Sequence, residues 1–260
     1  MKTFFPMILM LFMAIDATAQ EYAGRGGPNM LASVFRVQCR AAATPKGPTD
    51  IDLGTAFGHK SGNVLSASHV VDEAGCLKAS GALKLVASDG RLSSVAVVLR
   101  DAIIDLVLLK PDADFVKNPL PVSSTNTMMI GGQVSFWGFP SGYSGKVALL
   151  GVGHLAGVQP DRNNPSTNRW VVNGAINKGN SGGPLLETST PSIIGVVIQK
   201  FSPLSEEAVS ALGAISAKGS PESQILAKAM LDIGNRSQLV IGQSVLTSDL
   251  KAFLHRAGVE

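Results

Sequence analysis

Between residues 31 and 200, apolar side chains come in short runs separated by Gly, Pro, Asn and Asp. Val34 to Cys39 alternates, with Phe35, Val37 and Cys39 on one face and Arg36 and Gln38 on the other. The first face is expected to point inward, as in a half-buried strand. Further strand-like runs are Thr55 to Phe57, Val64 to Ser66, Leu83 to Val86, Val95 to Leu99, Leu106 to Leu109, Val134 to Trp137, Val147 to Val152, Trp170 to Val172 and Ile193 to Ile198. Turn residues such as Gly62-Asn63, Asp89-Gly90 and Pro140-Ser141-Gly142 lie between them, and the spacing predicts an antiparallel barrel or sandwich. The tail changes character. Ser202-Pro203, Ser220-Pro221 and Thr247-Ser248-Asp249 read as helix starts, since a hydroxyl caps exposed amides and Pro suits the first helical position. The last helix places Leu250, Phe253 and Leu254 on one face, His255 and Arg256 near its end and Gly258 as its stop. Leu239-Val240-Ile241 is expected to add one more strand.

Residues 1–19 read as an export signal rather than as part of the fold. Lys2 supplies a positive start, Phe4 to Ile15 is almost wholly apolar, and Ala17-Thr18-Ala19 has the small-x-small form that predicts cleavage after Ala19. An uncleaved signal anchor is the alternative. No later stretch approaches the ~18 apolar residues of a membrane span, and no Cys follows the cleavage site to carry a lipid. Cys39 and Cys76 are the only cysteines. In an exported protein they invite one disulfide, worth roughly 3 to 4 kcal/mol by chain entropy; two separate buried thiols are the other reading.

Composition removes whole classes. At 45% hydrophobic and 16% charged over 260 residues, the chain is not intrinsically disordered. The 22 basic and 19 acidic residues are scattered and leave a formal charge of only +3, so nucleic acid is not an expected partner. Four histidines and two cysteines without ligand-like spacing predict no metal site, and no cofactor is expected.

The chemistry concentrates in Gly179-Asn180-Ser181-Gly182-Gly183-Pro184. A nucleophilic hydroxyl needs a sharp turn that presents it and amide N–H groups that stabilise an oxyanion beside it; flanking glycines permit both. The serine needs a general base. His69, at the end of the Val64 to Ser66 strand and next to small residues, is the leading candidate. His59 lies among Gly58, Lys60 and Gly62 in an expected exposed hairpin, His154 in an expected glycine-rich loop and His255 near the end of the terminal helix. The base in turn needs a carboxylate to orient it. Asp105, between two apolar stretches, is the best candidate, because a buried carboxylate requires a partner. Asp101 reads as a solvated turn and Asp72 as a local helix cap.

Gly54-Thr55-Ala56-Phe57, Leu65 to Val71, Asp105 to Lys110 and Ala175 to Pro184 together resemble a trypsin-like serine protease of the HtrA/Deg branch, with His, Asp and Ser in that chain order. The resemblance covers roughly residues 31 to 200 and 239 to 257. It implies an all-β protease domain over residues 20–260: two six-stranded antiparallel β-barrels with the site between them, a helical insertion at about 202–235 and a C-terminal helix. It makes Ser181 the nucleophile, His69 the base, Asp105 the orienting carboxylate, and the backbone N–H groups of Gly179 and Ser181 the oxyanion hole. The primary pocket falls to Ala175 and the stretch Val196 to Lys200, Val197 and Ile198 included. With no acid at Ala175, small or medium apolar P1 residues are expected. Lys178 and Lys200 offer an acidic preference as the alternative.

The sequence also departs from the pattern. Asn180 replaces the Asp usual before the nucleophile, so activation by a buried new amino terminus is not expected. Relatives usually carry a PDZ domain, for which the residues after the protease leave no room. The insertion either covers the site, gates it or forms an interface, or it is a packed decoration. The expected protein is an exported serine endopeptidase, periplasmic or secreted, acting on proteins or peptides. A silent or gated binding module of the same fold is the alternative, and hydrolysis of small esters a third reading. No oligomeric state follows from the sequence.

Overall fold

Apolar alternation in short segments builds two barrels. The computed structural model describes residues 29–40, 50–72, 82–126, 128–161, 164–200, 204–236 and 240–260; the expected signal, Cys76 and Ser202-Pro203 lie outside them. Strands β1 (Val34–Arg40), β2 (Asp50–Gly58), β3 (Val64–Ala67), β4 (Ala82–Val86), β5 (Leu92–Asp101) and β6 (Leu106–Pro111) close in the order β1-β2-β3-β6-β5-β4. Strands β7 (Gln133–Gly138), β8 (Leu149–Pro160), β9 (Asn168–Asn173), β10 (Pro184–Glu187), β11 (Ile193–Lys200) and β12 (Ile241–Val245) close in the order β10-β11-β12-β9-β8-β7. Neighbours within both barrels are antiparallel, and closure leaves no sheet edge to template aggregation.

Two apolar clusters divide along the strands. Val134, Phe136, Leu155, Trp170, Val172, Leu185, Ile194 and Val197 fill the second barrel. The larger cluster fills the first barrel and runs on through Phe139, Ile193, Val196 and Ile198. Strand β11 therefore lies between two cores, which explains why Ile193 to Ile198 reads as a continuous apolar run instead of alternating. On β1 the expected inward face holds, with Phe35 and Val37 fully buried and Cys39 at 3% exposure. Arg36 on the opposite face is also covered: it pairs with Asp52, donates to the Gly145 carbonyl at 2.6 Å and stacks 4.6 Å over Phe139.

Five helices are described: α1 (Met30–Ser33), α2 (Ser68–Asp72), α3 (Glu206–Lys218), α4 (Pro221–Arg236) and α5 (Thr247–Arg256). None is long and apolar enough to cross a membrane among the described residues. The predicted face of α5 is found, with Leu250, Phe253 and Leu254 buried in the larger cluster, each contributing about 1.5 to 3 kcal/mol by burial. Gly258 stops it with φ 67°. Thr247 does not cap it. Its hydroxyl donates to the Ile194 carbonyl at 2.6 Å and pins the helix to β11. Helices α3 and α4 pack on each other, and Ser205 caps α3 through the Ala208 N–H.

His59 corrects the expectation of an exposed hairpin, since it is 1% exposed. The Ser61 N–H donates to its Nδ1, so the ring is an acceptor there and stays neutral. Burial first, and Lys60 second, push its pKa down to about 4. A depressed histidine binds its proton in the unfolded chain first. Stability attributable to it is complete above the unfolded pKa near 6.5 and is lost as pH falls from there to about 4, amounting to about 3 kcal/mol. Urea midpoints measured across that window should fall steeply in the natural protein and less so in His59→Asn; equal slopes would refute the assignment.

Candidate active site

The chain passes from β3 into α2 through Ser66, Ala67 and Ser68, whose small side chains let the corner lie buried. His69 follows. Its Nδ1 lies 2.7 Å from Oδ2 of Asp105, and its backbone N–H donates to Oδ1 at 2.9 Å. Both oxygens of one carboxylate are thereby aimed at one residue. An ionised carboxylate only accepts, so the proton sits on Nδ1 and the ring's lone pair is on Nε2. The His69 and Asp105 side chains are 35% and 21% exposed, open to the cleft yet partly shielded. The competing acids are engaged elsewhere. Asp72 pairs with Arg100, and Asp101 accepts from the Ile103 and Ile104 N–H groups and pairs with Arg256. His154 lies in strand β8, paired with Gln133 and Asn173, and not in the expected loop; it and His255 on α5 are exposed.

Ser181 sits in the turn before β10. Gly179 and Gly182 hold φ of 93° and 84°, where a side chain is strained. A Cβ on Gly182 would also strike the Thr55 carbonyl and Ser66 Oγ. The turn's carbonyls face into the protein. Lys178 O accepts from Ser141 N at 2.7 Å, Gly179 O from Thr55 Oγ1 at 2.6 Å, Asn180 O from Gly183 N at 2.9 Å and Ser181 O from Thr55 N at 2.9 Å. In a trans peptide the N–H points opposite to the carbonyl. The Gly179 and Ser181 N–H groups consequently point the other way, and no acceptor takes either among the described residues. Two adjacent unpaired donors can hold an oxyanion.

The two halves meet here. A Cβ on Gly54 would touch both the Ser181 carbonyl and Val70, the residue after His69, so Gly54 is what lets the nucleophile turn and α2 approach from either side. Its hydroxyl donates to the Ile198 carbonyl at 3.2 Å. Ile198 lines a cavity of about 410 Å³ together with His69, Ala102, Ile103, Asp105 and Arg169. The remaining specificity candidates separate. Ala175 is exposed, whereas Val197 is fully buried in the second barrel's core and its backbone pairs with Gly182 and Gly183. Among the described residues no group of three or more His, Cys, Asp or Glu is placed to hold a metal.

Two participants escaped the sequence reading. Thr55 belongs to the Gly54-Thr55-Ala56-Phe57 segment, in which sequence alone assigns it no role; its buried hydroxyl accepts from Phe139 N and donates to Gly179 O, bracing the nucleophile turn from the first barrel. Arg169 precedes the apolar run at Trp170 and looks solvated in sequence, yet it is 1% exposed.

Residues 54–196 match the family model of the trypsin-like peptidase domain. Over 150 residues the chain is 29% identical to the chloroplastic Protease Do-like 1 of Arabidopsis thaliana, covering 55% of this chain and 32% of that one. Over 200 residues it is 29% identical to the serine protease Do-like HtrA of Bacillus subtilis, covering 74% and 42%. The chain thus spans less than half the length of these curated relatives. The solved HtrA-type protease AlgW with decapeptide superposes with a TM-score of 0.62 at 17% identity, over 87% of this chain and 64% of that one, a likeness of fold.

Proposed function

The chain belongs to the trypsin-like peptidase family, and from that premise we propose that it is a serine endopeptidase whose nucleophile is Ser181. The reading is carried by one observation. A His69–Asp105 pair from the first barrel lines one cavity with Ile198 of the second, and the carbonyl of Ile198 accepts from Ser181, whose N–H and that of Gly179 meet no acceptor among the described residues. Ser181 Oγ attacks the scissile carbonyl carbon while its proton passes to His69 Nε2. The displaced electron pair moves onto the carbonyl oxygen, held by the Gly179 and Ser181 N–H groups, each worth roughly 2.7 to 4 kcal/mol. Collapse expels the amine, which takes the proton from His69 and leaves an acyl-enzyme. Water repeats the sequence and restores the serine. Asp105 holds the ring and stabilises the imidazolium without itself taking the proton.

Organophosphorus reagents are expected to label Ser181 in the natural protein and not in His69→Ala. Absence of both labelling and hydrolysis of unfolded protein overturns the reading. One observation favours a gated variant of it. A hydroxyl has one proton, and here that proton is directed at the Ile198 carbonyl rather than at His69. Slow labelling that accelerates when peptide occupies the cleft is the expected sign of gating. Permanent silence toward every substrate and reagent supports the binding-module alternative.

The primary pocket is assigned to Ala175 and Ile198, with the backbone of Val197 behind the turn. No acid stands at Ala175, so small or medium apolar P1 residues are preferred. Peptides with P1 Val or Ala should exceed those with Lys or Arg by about tenfold or more in kcat/KM, and Ala175→Asp should narrow that gap; a basic preference in the natural protein sinks the assignment. The substrates are proteins or peptides. Export after cleavage at Ala19, to the periplasm or beyond, and a Cys39–Cys76 disulfide complete the proposal. Cys39 is not a free thiol, and one curated relative is a DegP-like endoprotease described as periplasmic. Amino-terminal sequencing and a non-reducing peptide map of the exported protein test both.

A further inference from the structure

Asp105 is a non-glycine residue with φ 60°. Left-handed backbone of this kind costs about 1 kcal/mol or more and persists only where its surroundings over-determine it. The turn from Asp101 to Asp105 is held on both sides. Its N–H groups at Ile103 and Ile104 donate to Asp101 Oδ1 at 2.9 and 3.2 Å, and Asp101 is anchored to Arg256 of α5 at 2.6 Å. Burial pushes the Asp101 carboxyl up, but Arg256 and these two N–H groups outweigh it and hold it below the usual range.

The carbonyls of the same two residues are held from across the cleft. Arg169 on β9 donates from Nη1 to Ile104 O at 3.0 Å and from Nη2 to Ile103 O at 3.2 Å. Its Nε donates to Asp161 Oδ2 at 2.6 Å, and Asp161 is fixed in turn by the Asn164 N–H on its other oxygen. At 1% exposure Arg169 borders the cavity but offers almost no surface to it. A buried charge of this kind needs such partners. The planar fork matches two successive carbonyls and a carboxylate at once, which an ammonium does not.

We infer that Arg169 is a positioning residue: from the second barrel it sets the turn that aims the Asp105 carboxylate at His69. This rests on the hydrolytic reading above, and it makes correct orientation of the first barrel's acid depend on the seating of the second barrel. The alternative is an ion pair that merely holds the barrels together.

The test compares Arg169→Met and Arg169→Lys with the natural protein, each also in an Asp105→Asn background. Positioning predicts a kcat loss of about ten- to a hundredfold for Met with KM changed less than about twofold, and a smaller loss for Lys. In the Asp105→Asn background the Arg169 substitutions should cost less than about a further twofold, because the group they act through is already gone. An equal loss in both backgrounds overturns the inference. Should the Met variant not fold, the Lys variant carries the same comparison. Independently of turnover, the His69 Nδ1–H proton resonance should be sharp and far downfield in the natural protein and broadened or moved upfield in the Lys variant. An unchanged resonance overturns the inference even if the protein hydrolyses nothing, whereas a changed resonance in an inactive protein supports it and counts against hydrolysis alone.

Discussion

Exchange of Ser181 for alanine is expected to lower kcat by about 10⁶-fold, leaving the residual rate that the unpaired amides and substrate binding supply on their own. The structure separates this loss from any loss of folding. Among the described residues the hydroxyl makes one bond, to the Ile198 carbonyl at 3.2 Å, and removing a single such bond costs about 1 kcal/mol. The turn is braced by backbone groups and by Thr55, which the substitution leaves in place. Thermal unfolding should therefore move by only a few degrees while peptide turnover vanishes. A variant keeping more than about a hundredth of the rate would mean that another group attacks the substrate, and the assignment of Ser181 would fall.

Asp105→Asn should lower kcat by about 10⁴-fold with little change in KM. The carboxylate accepts from two donors of one residue, His69 Nδ1 at 2.7 Å and His69 N at 2.9 Å. An amide has one accepting and one donating end. With its oxygen kept on the backbone N–H, its NH₂ faces Nδ1 and favours the tautomer protonated at Nε2, which cannot take the Ser181 proton. The geometry survives and the base does not. Steady-state kinetics on one peptide decide it: retention of a tenth of the natural rate would show that the ring needs no orienting anion.

The barrels were largely legible because one-sided burial imposes alternation, and most of the predicted runs lie within observed strands. The exceptions share a cause. Strand β10 follows Gly182-Gly183 and begins at Pro184, so that turn residues hide its four residues of pairing. Helix α2 is a single turn of small and β-branched residues whose shape is set by the barrel around it. His59 looks exposed in sequence because its neighbours are glycine and lysine, while in space it shares a cavity wall with distant residues such as Val122 and Leu254. The chemistry divides in the same way. Ser181, His69 and Asp105 stand in distinctive local contexts, whereas which carboxylate lies beside His69 is a matter of space: Asp105 sits at 2.7 Å while Asp72 pairs with Arg100. Thr55 and Arg169 act on backbone atoms of remote segments, and a sequence carries no mark of which carbonyl a side chain will reach.

Strands β11 and β12 pair Lys200 with Gly242, so the segment carrying α3 and α4 leaves and re-enters the second barrel at neighbouring points. The entropy of joining two such points grows only logarithmically with the tether, about 0.6 kcal/mol for each doubling. Barrel closure is therefore nearly indifferent to what is grafted there. An appendage can be lengthened, trimmed or exchanged at this seam, a few residues from the cleft wall at Ile198, without the hydrolytic machinery having to be rebuilt.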